Sequence, residues 1–343
     1  MNRSNTTKAA IYYGPRDIRL EEIEKPRAGE DGIVVKVRAA GICGGDLHAY
    51  RKAPIDRPPG KLAYGHENAG DVVEVGANVK DIKVGDRVFA EALLLDASRT
   101  RLTGIAGLSG LHGGFAEYLW VPVVMRDKDT GTHTNIFKLP DTMSYRDGAL
   151  IEPVSIGAAA VTTAAAQSGE VAFVMGTGII GLGTVVALKA AGMSKIIVSD
   201  VSEKRLKAAR ELGADVALNP TKVDVTKRVM EETSGGGADI VVETAGLPAT
   251  FLQSIDIARP GGRIVVVAYY EESVQFKPHT LINRNVRIIP GRGADWPKAF
   301  ELIKEGKITD KQVVTHTFPL DRINEAFETA GNSQESIKVM IEP

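Results

Sequence analysis

Apolar and polar positions alternate at short range in the first third of this chain and settle into a longer rhythm in the middle. The runs IVVKVRAAGI, AGDVVEVGANV, DRVFAEALLL and FAEYLWVP are β-rich and separated by Gly, Pro and Asp. That spacing predicts a compact, largely antiparallel β unit from Ile11 to about Trp120. The polar stretch RDKDTGTHTN then reads as an exposed loop or hairpin tip before IFKLPDTMS. After Glu152-Pro153, apolar strands alternate with amphipathic helical segments. VAFVMG leads into IIGLGTVVALKAAG, KIIVSD into SEKRLKAARELG, VALN into VDVTKRVMEETSG, and ADIVVETAG into ATFLQSIDIA, with further strands in GRIVVVAY and VRIIPG. Such alternation predicts a parallel sheet with helices on both faces. Helices around PKAFELIKEG and RINEAFETA and a strand in SIKVMIEP close the chain and are expected to return to the first domain. The pattern therefore predicts an α/β two-domain protein, with residues 1–155 and 292–343 forming a β-rich domain and 156–291 a doubly wound one.

Length and charge agree with that division. At 343 residues the chain exceeds the size at which a single core keeps growing, and its 43% hydrophobic and 25% charged content is that of an ordinary globular protein. A formal net charge of −1 supplies no broad attraction for a phosphate polymer or an anionic membrane, so neither nucleic acid nor membrane is an expected partner. One cysteine forms no intramolecular disulfide, MNRSNTTKAAIYYG lacks the apolar stretch of a secretory signal, and no run reaches the ~18 to 20 apolar residues of a membrane span. A cytoplasmic protein is the expectation.

VAFVMGTGIIG carries an apolar strand into Gly176-x-Gly178-x-x-Gly181. The first glycine permits a tight turn and the second lets the backbone approach a pyrophosphate. The third lets helix and strand pack closely, and the helix that starts at Ile179 and Ile180 points its N-terminus at the phosphates. Asp200 ends the next strand, where an acid hydrogen-bonds the adenosine ribose hydroxyls. That acid repels a ribose 2′-phosphate and no arginine directly follows it, so NAD is expected, although Arg205 lies close in sequence. Ser202 is the better N-cap for the following helix. Ala268, next to last in GRIVVVAY, completes the expected cofactor-binding set together with Arg292.

GICGGDLHAY contains Cys43, which by itself reads as a small buried hydrophobe sooner than as a metal ligand. AYGHENAG sets His66 beside Glu67 in the same domain. Taken together, GICGGDLH, GHENAG, VGDRV, ALIEPVSIG and MGTGIIGLG resemble the zinc-dependent medium-chain dehydrogenases, closest to the polyol branch with sorbitol, butanediol and threonine dehydrogenases. The resemblance covers nearly the whole chain. It implies a GroES-like β domain built from both chain ends and a Rossmann domain between them. It also implies a catalytic zinc held by Cys43 and His66, with Glu67 as third ligand or close neighbour and Glu152 binding zinc or hydrogen-bonding its water. Asp46 resembles the family's acid that orients His66, with a turn-capping role as the alternative. Zinc accepts such N, S and O ligands and stabilises an alkoxide near neutral pH, from which hydride passes to the nicotinamide.

Two departures from the family pattern matter. The segment AEALLLDASRTRLTGIAGLSGLHGG has none of the four cysteines that hold a second, structural zinc, so one metal per chain is expected. Two residues after the cysteine, where the family commonly has Ser or Thr as proton relay, this chain has Gly45. A water in that space is expected to pass the proton to His48 or Glu152, so that Glu152→Gln and His48→Ala each lower turnover most below neutral pH. His48 as a surface histidine is the alternative. Arg292, in GRGADWP, either recognises an anionic substrate group, clamps the cofactor or pairs with an acid. Tyr50, Arg51, Leu93 and LSGLH are expected pocket lining. The expected activity is NAD-linked oxidation of a secondary hydroxyl of a polyol, cyclitol, sugar or related small alcohol by a homodimer or homotetramer. A zinc-free quinone or enoyl reductase and a non-catalytic nucleotide-binding protein are the competing readings.

Overall fold

The computed structural model describes residues 5–52, 62–91, 93–95, 102–105, 113–123, 135–291 and 293–343, with backbone alone at 62–63, 93–95 and 102–105. The chain forms two compact units, one of residues 1–152, 314–332 and 338–343, the other of 153–313 and 333–337.

The first unit is built on strands β1 (Thr6–Gly14), β2 (Asp17–Glu24), β3 (Gly32–Gly41), β4 (Leu62–Ala63), β5 (Glu67–Val75), β6 (Arg87–Ala90), β7 (Leu93–Leu95), β8 (Leu102–Ile105), β9 (Tyr118–Pro122) and β10 (Ile136–Lys138). The hairpin of β1 and β2 adds a strand that the apolar pattern missed, because DIRLEEIE buries only Ile18. The run DRVFAEALLL divides into β6 and β7. The larger sheet has the order β10-β6-β5-β3-β18-β17 with β9 also on β3, where β17 (Val314–Pro319) and β18 (Lys338–Glu342) come from the chain's end. Every described pairing in it is antiparallel except β17 with β18. Its core includes Ile33, Val35, Val37, Val72, Val88, Leu119 and Ile341.

In the second unit, β11 (Val171–Met175), β12 (Lys195–Ser199), β13 (Val216–Leu218), β14 (Ala238–Glu243), β15 (Ala258–Val266) and β16 (Arg287–Pro290) form one parallel sheet of order β13-β12-β11-β14-β15-β16. Renumbered within the unit this is 3-2-1-4-5-6, the dinucleotide-binding order, whose switch point lies between β11 and β14. The strands read as continuous apolar runs because helices cover both faces, and Phe173, Val174, Ile197, Val241 and Ile264 are fully buried.

The boundaries correct the expectation that everything from residue 292 returns to the β-rich unit. The helix Trp296–Lys304 buries Ala299, Leu302 and Ile303 within the second unit. Its N-cap Asp295 is tied there, since the Asp295 N–H donates to Ser155 O (3.0 Å) and the Thr162 hydroxyl donates to the Asp295 carboxylate (3.0 Å). Residues 333–337 also belong to that unit. Lys204 Nζ donates to Glu335 O (2.8 Å) and Arg205 Nε to Ser336 O (3.0 Å), which fastens the segment to the helix Glu203–Glu211. An amphipathic helix and a short polar loop carry no mark of which unit they pack on.

Candidate metal centre and nucleotide site

Strand register builds the centre. The end of β3 pairs with the start of β5, Gly41 opposite Glu67, and on its other side Gly41 faces Met340 of β18. Cys43 follows β3 and His66 precedes β5, so the pairing that closes the sheet also brings these two side chains together. The donor atoms of Cys43, His66 and Glu67 all lie within 4.8 Å of one another. Cys43 is half-buried at the start of the helix Gly44–Lys52, whereas His66 and Glu67 are buried.

The surroundings are strongly acidic for a buried site. Asp46, Glu67, Glu91 and Glu152 are all buried. Burial pushes the Glu152 carboxyl up to about 7, with His66 pulling it down and Glu67 pushing it further up. Burial and the Glu152 charge push Glu91 up to about 8. Burial disfavours the His66 imidazolium, yet the charges of Cys43, Glu152 and Asp46 and a hydrogen bond with Cys43 outweigh it and raise His66 well above its ordinary value. His66 Nδ1 is buried with no hydrogen-bond partner among the described residues. A sulfur, an imidazole and a carboxylate converging amid surplus negative charge are the donor set that zinc takes, so the residues fit the metal. Glu152, in the first turn of the helix Ile151–Thr163, belongs to the same charge cluster but lies outside the converging three.

Asp46 takes the turn-capping role that the sequence left as its alternative. Its Oδ2 accepts the Cys43 N–H (3.0 Å), fixing the backbone at the cysteine, while it acts on His66 through its charge. His48 is half-buried and Gly45 exposed on the same helix. Tyr50 is buried against Phe327, with ring centroids 4.9 Å apart, and its hydroxyl donates to Glu328 (3.1 Å). Exposed Arg51 donates to Gly331 O (2.9 Å). Arg292, the LSGLH segment and the Leu93 side chain lie outside the described residues.

The nucleotide loop follows β11. Gly176 has φ +86°, a conformation that a side chain disfavours. A Cβ on Gly181 would stand 2.0 Å from Gly176 O, so the third glycine is required by the turn itself. Gly178 caps the helix Ile179–Ala190, and the nearest atom to a Cβ there is Arg205 Nη1 at 3.9 Å, which leaves the approach open. Asp200 braces this loop, its Oδ2 accepting the Thr177 N–H and its Oδ1 the Ser202 N–H, both at 2.8 Å. The Ser202 hydroxyl caps the next helix as expected.

Sequence reasoning missed three buried charged residues. Lys338 Nζ lies 2.6 Å from Glu67 Oε1. Glu91 follows β6, its backbone exchanging hydrogen bonds with Asn135. Glu243 ends β14 and accepts from the Ala245 and Gly246 N–H groups (3.0 Å each), the Thr250 hydroxyl (2.8 Å) and the Tyr270 hydroxyl. The adjacent Thr244 hydroxyl donates to Met175 O and Gly176 O (2.8 Å each), so this network steadies the glycine turn. The available signal was a lone charge inside an apolar strand, as in IKVMI, VFAEALL and IVVE.

Family models agree with both halves. Residues 29–126 match the alcohol dehydrogenase GroES-like domain and 180–305 the zinc-binding dehydrogenase. The chain is 35% identical to (R,R)-butanediol dehydrogenase of Bacillus subtilis, covering 98% of this chain and 99% of that one. It is 33% identical to sorbitol dehydrogenase of Gallus gallus, over 97% and 95% of the two chains. A solved structure described as a zinc-binding dehydrogenase from Sinorhizobium meliloti 1021 bound to NADP superposes with a TM-score of 0.87 at 26% identity, covering 98% of this chain and 99% of that one. The chain therefore belongs to the zinc-dependent medium-chain alcohol and polyol dehydrogenases. It is an oxidoreductase of the alcohol dehydrogenase type, with zinc and a nicotinamide nucleotide as cofactors. No helix among the described residues is long and apolar enough to cross a membrane.

Proposed function

We propose that this enzyme oxidises a secondary hydroxyl of a small polyol, cyclitol, sugar or related alcohol to the ketone, reversibly, with NAD and one zinc per chain. The observation that carries the reading is the convergence of Cys43, His66 and Glu67 within 4.8 Å inside a buried acidic cluster. Held by these residues, zinc would supply Lewis acidity and a nicotinamide nucleotide would supply hydride-accepting chemistry.

The chain's own groups do the rest. Asp46 fixes the cysteine backbone, and β5 opens with Glu67 directly after His66. With Gly45 unable to relay a proton, Glu152, a buried acid of the same charge cluster, is the group proposed to receive it. His48 is the second candidate, half-buried in the same unit. Asp200 supports the choice of NAD, because its carboxylate holds the loop on both sides and sets a negative charge where a 2′-phosphate would sit. Arg205, close to Gly178, is spent at Nε on Ser336 O. The butanediol and sorbitol dehydrogenases among the relatives support a vicinal diol or polyol as substrate. A cytoplasmic homodimer or homotetramer joined through β16 completes the reading, and native mass spectrometry tests the assembly.

Elemental analysis of protein purified without a metal-binding tag and briefly reconstituted is the first test, followed by a screen of polyols and cyclitols with NAD and NADP. About one zinc per chain and alcohol-dependent NADH formation are expected. Absence of bound zinc with reductase activity on quinones or enones would overturn the reading, as would a preference for NADP in its cofactor part.

A further inference from the structure

Lys338 opens β18, and its side chain is 2% exposed. An ammonium is not left in such a place unless its charge and its three donors are answered. Lys338 Nζ donates to Ile42 O (2.8 Å) and to Glu67 Oε1 (2.6 Å), and forms an ion pair with Glu67 Oε2 as well. Ile42 immediately precedes Cys43, and Glu67 immediately follows His66. A single ammonium thus ties the two segments that carry the metal donors, from a strand at the far end of the sequence. Gly41 makes room for the pair: a Cβ there would stand 1.9 Å from Glu67 Oε2 and 2.8 Å from Lys338 Cε.

We propose that Lys338 is a positioning residue of the metal centre, sharing the Glu67 carboxylate with the metal and so setting how firmly zinc is held. The inference rests on Cys43, His66 and Glu67 being that centre. Glu67 reaches both the other two donors and the ammonium, so a metal held by those donors would share its carboxylate with Lys338 in a medium of low polarity, each cation weakening the hold of the carboxylate on the other. Removing the ammonium leaves the carboxylate to the metal alone. Removing the carboxylate leaves two cations facing each other with nothing between. The two substitutions therefore act on zinc retention with opposite signs, which loss of packing does not produce.

The experiment follows zinc release to a colorimetric chelator, with cobalt(II) replacing zinc in a parallel set so that its absorption bands report the ligands. Lys338→Met is expected to release zinc at least tenfold more slowly than wild type and to change the cobalt bands. Glu67→Gln is expected to release it at least tenfold faster, and the double variant to recover most of that loss. If Lys338→Met strands the carboxylate and fails to fold, comparison of Glu67→Gln with the double variant decides alone. Equal release from those two, with unchanged cobalt bands between them, would overturn the role of Lys338. Wild-type protein that takes up no zinc would instead overturn the metal centre itself, and the lysine's role with it.

Discussion

Glu152 offers a test of the acidic centre that needs no substrate. Its carboxyl, 6% exposed, is pushed up from 4.5 to about 7 in the folded, metal-free chain, chiefly by burial. Between those values the folded state holds a proton that the unfolded state has lost, so stability falls as pH rises, by up to about 1.4 kcal/mol per pH unit. Over the whole window the loss is about 3 kcal/mol, an order-of-magnitude figure, present in full above pH ~7. Glu91, raised to about 8 partly by the Glu152 charge, and His66, raised above its ordinary value, both act in the same direction. Glu152→Gln keeps the shape and removes the charge. It is expected to flatten the pH dependence of the metal-free protein and to leave it more stable than wild type at pH 8, with little difference at pH 5. Urea unfolding of chelator-treated protein from pH 5 to 8.5, followed by circular dichroism, measures this, and adding zinc should reduce the wild-type slope because the dication takes up the surplus charge. Parallel profiles for wild type and variant in the metal-free state would refute the account.

The same substitution bears on catalysis, where the sign differs from the sequence-based expectation. If Glu152 receives the proton, its loss matters most on the alkaline side of its titration, where wild type has a carboxylate, and unchanged turnover profiles in both Glu152→Gln and His48→Ala would exclude these two as the route. Gly41→Ala places a methyl 1.9 Å from Glu67 Oε2 and should cost about 1 to 3 kcal/mol in strain, read as a lower melting temperature with loss of zinc. A wild-type melting temperature with full zinc content would show that the ion pair is not held against that backbone. Asp200→Ala leaves the buried Thr177 N–H without its acceptor, about 1 to 3 kcal/mol, and should raise the KM for NAD at least tenfold with zinc content unchanged. Unaltered NAD kinetics would remove Asp200 from the cofactor site.

What could be read from the sequence was whatever physical chemistry writes locally. Apolar runs alternating with amphipathic helices carry the parallel sheet, since both faces of every strand must be covered. The glycine turn is equally local, because Gly176 needs its positive φ and Gly181 must clear a carbonyl within the same few residues. The metal donors were legible only as a combination, because Cys43 and His66 meet through the register of β3 on β5, which no short stretch encodes. Lys338 shows why the remainder was hidden. In SIKVMIEP a lysine reads as the polar side of an edge strand, and its burial follows from β18 lying between β3 and β17 in the sheet. A charge in that position must be answered from across the fold, and here the answering group is itself a metal donor. The same logic applies to Glu91, an acid in an apolar run whose charge meets that of Glu152 only once the sheet closes. Charges interrupting apolar strands are therefore the places where tertiary structure, rather than propensity, assigns the role. In this chain two of them, Lys338 and Glu91, join Glu152 of a helix's first turn around the metal centre, and a cation bound there would offset the negative charge that the fold concentrates.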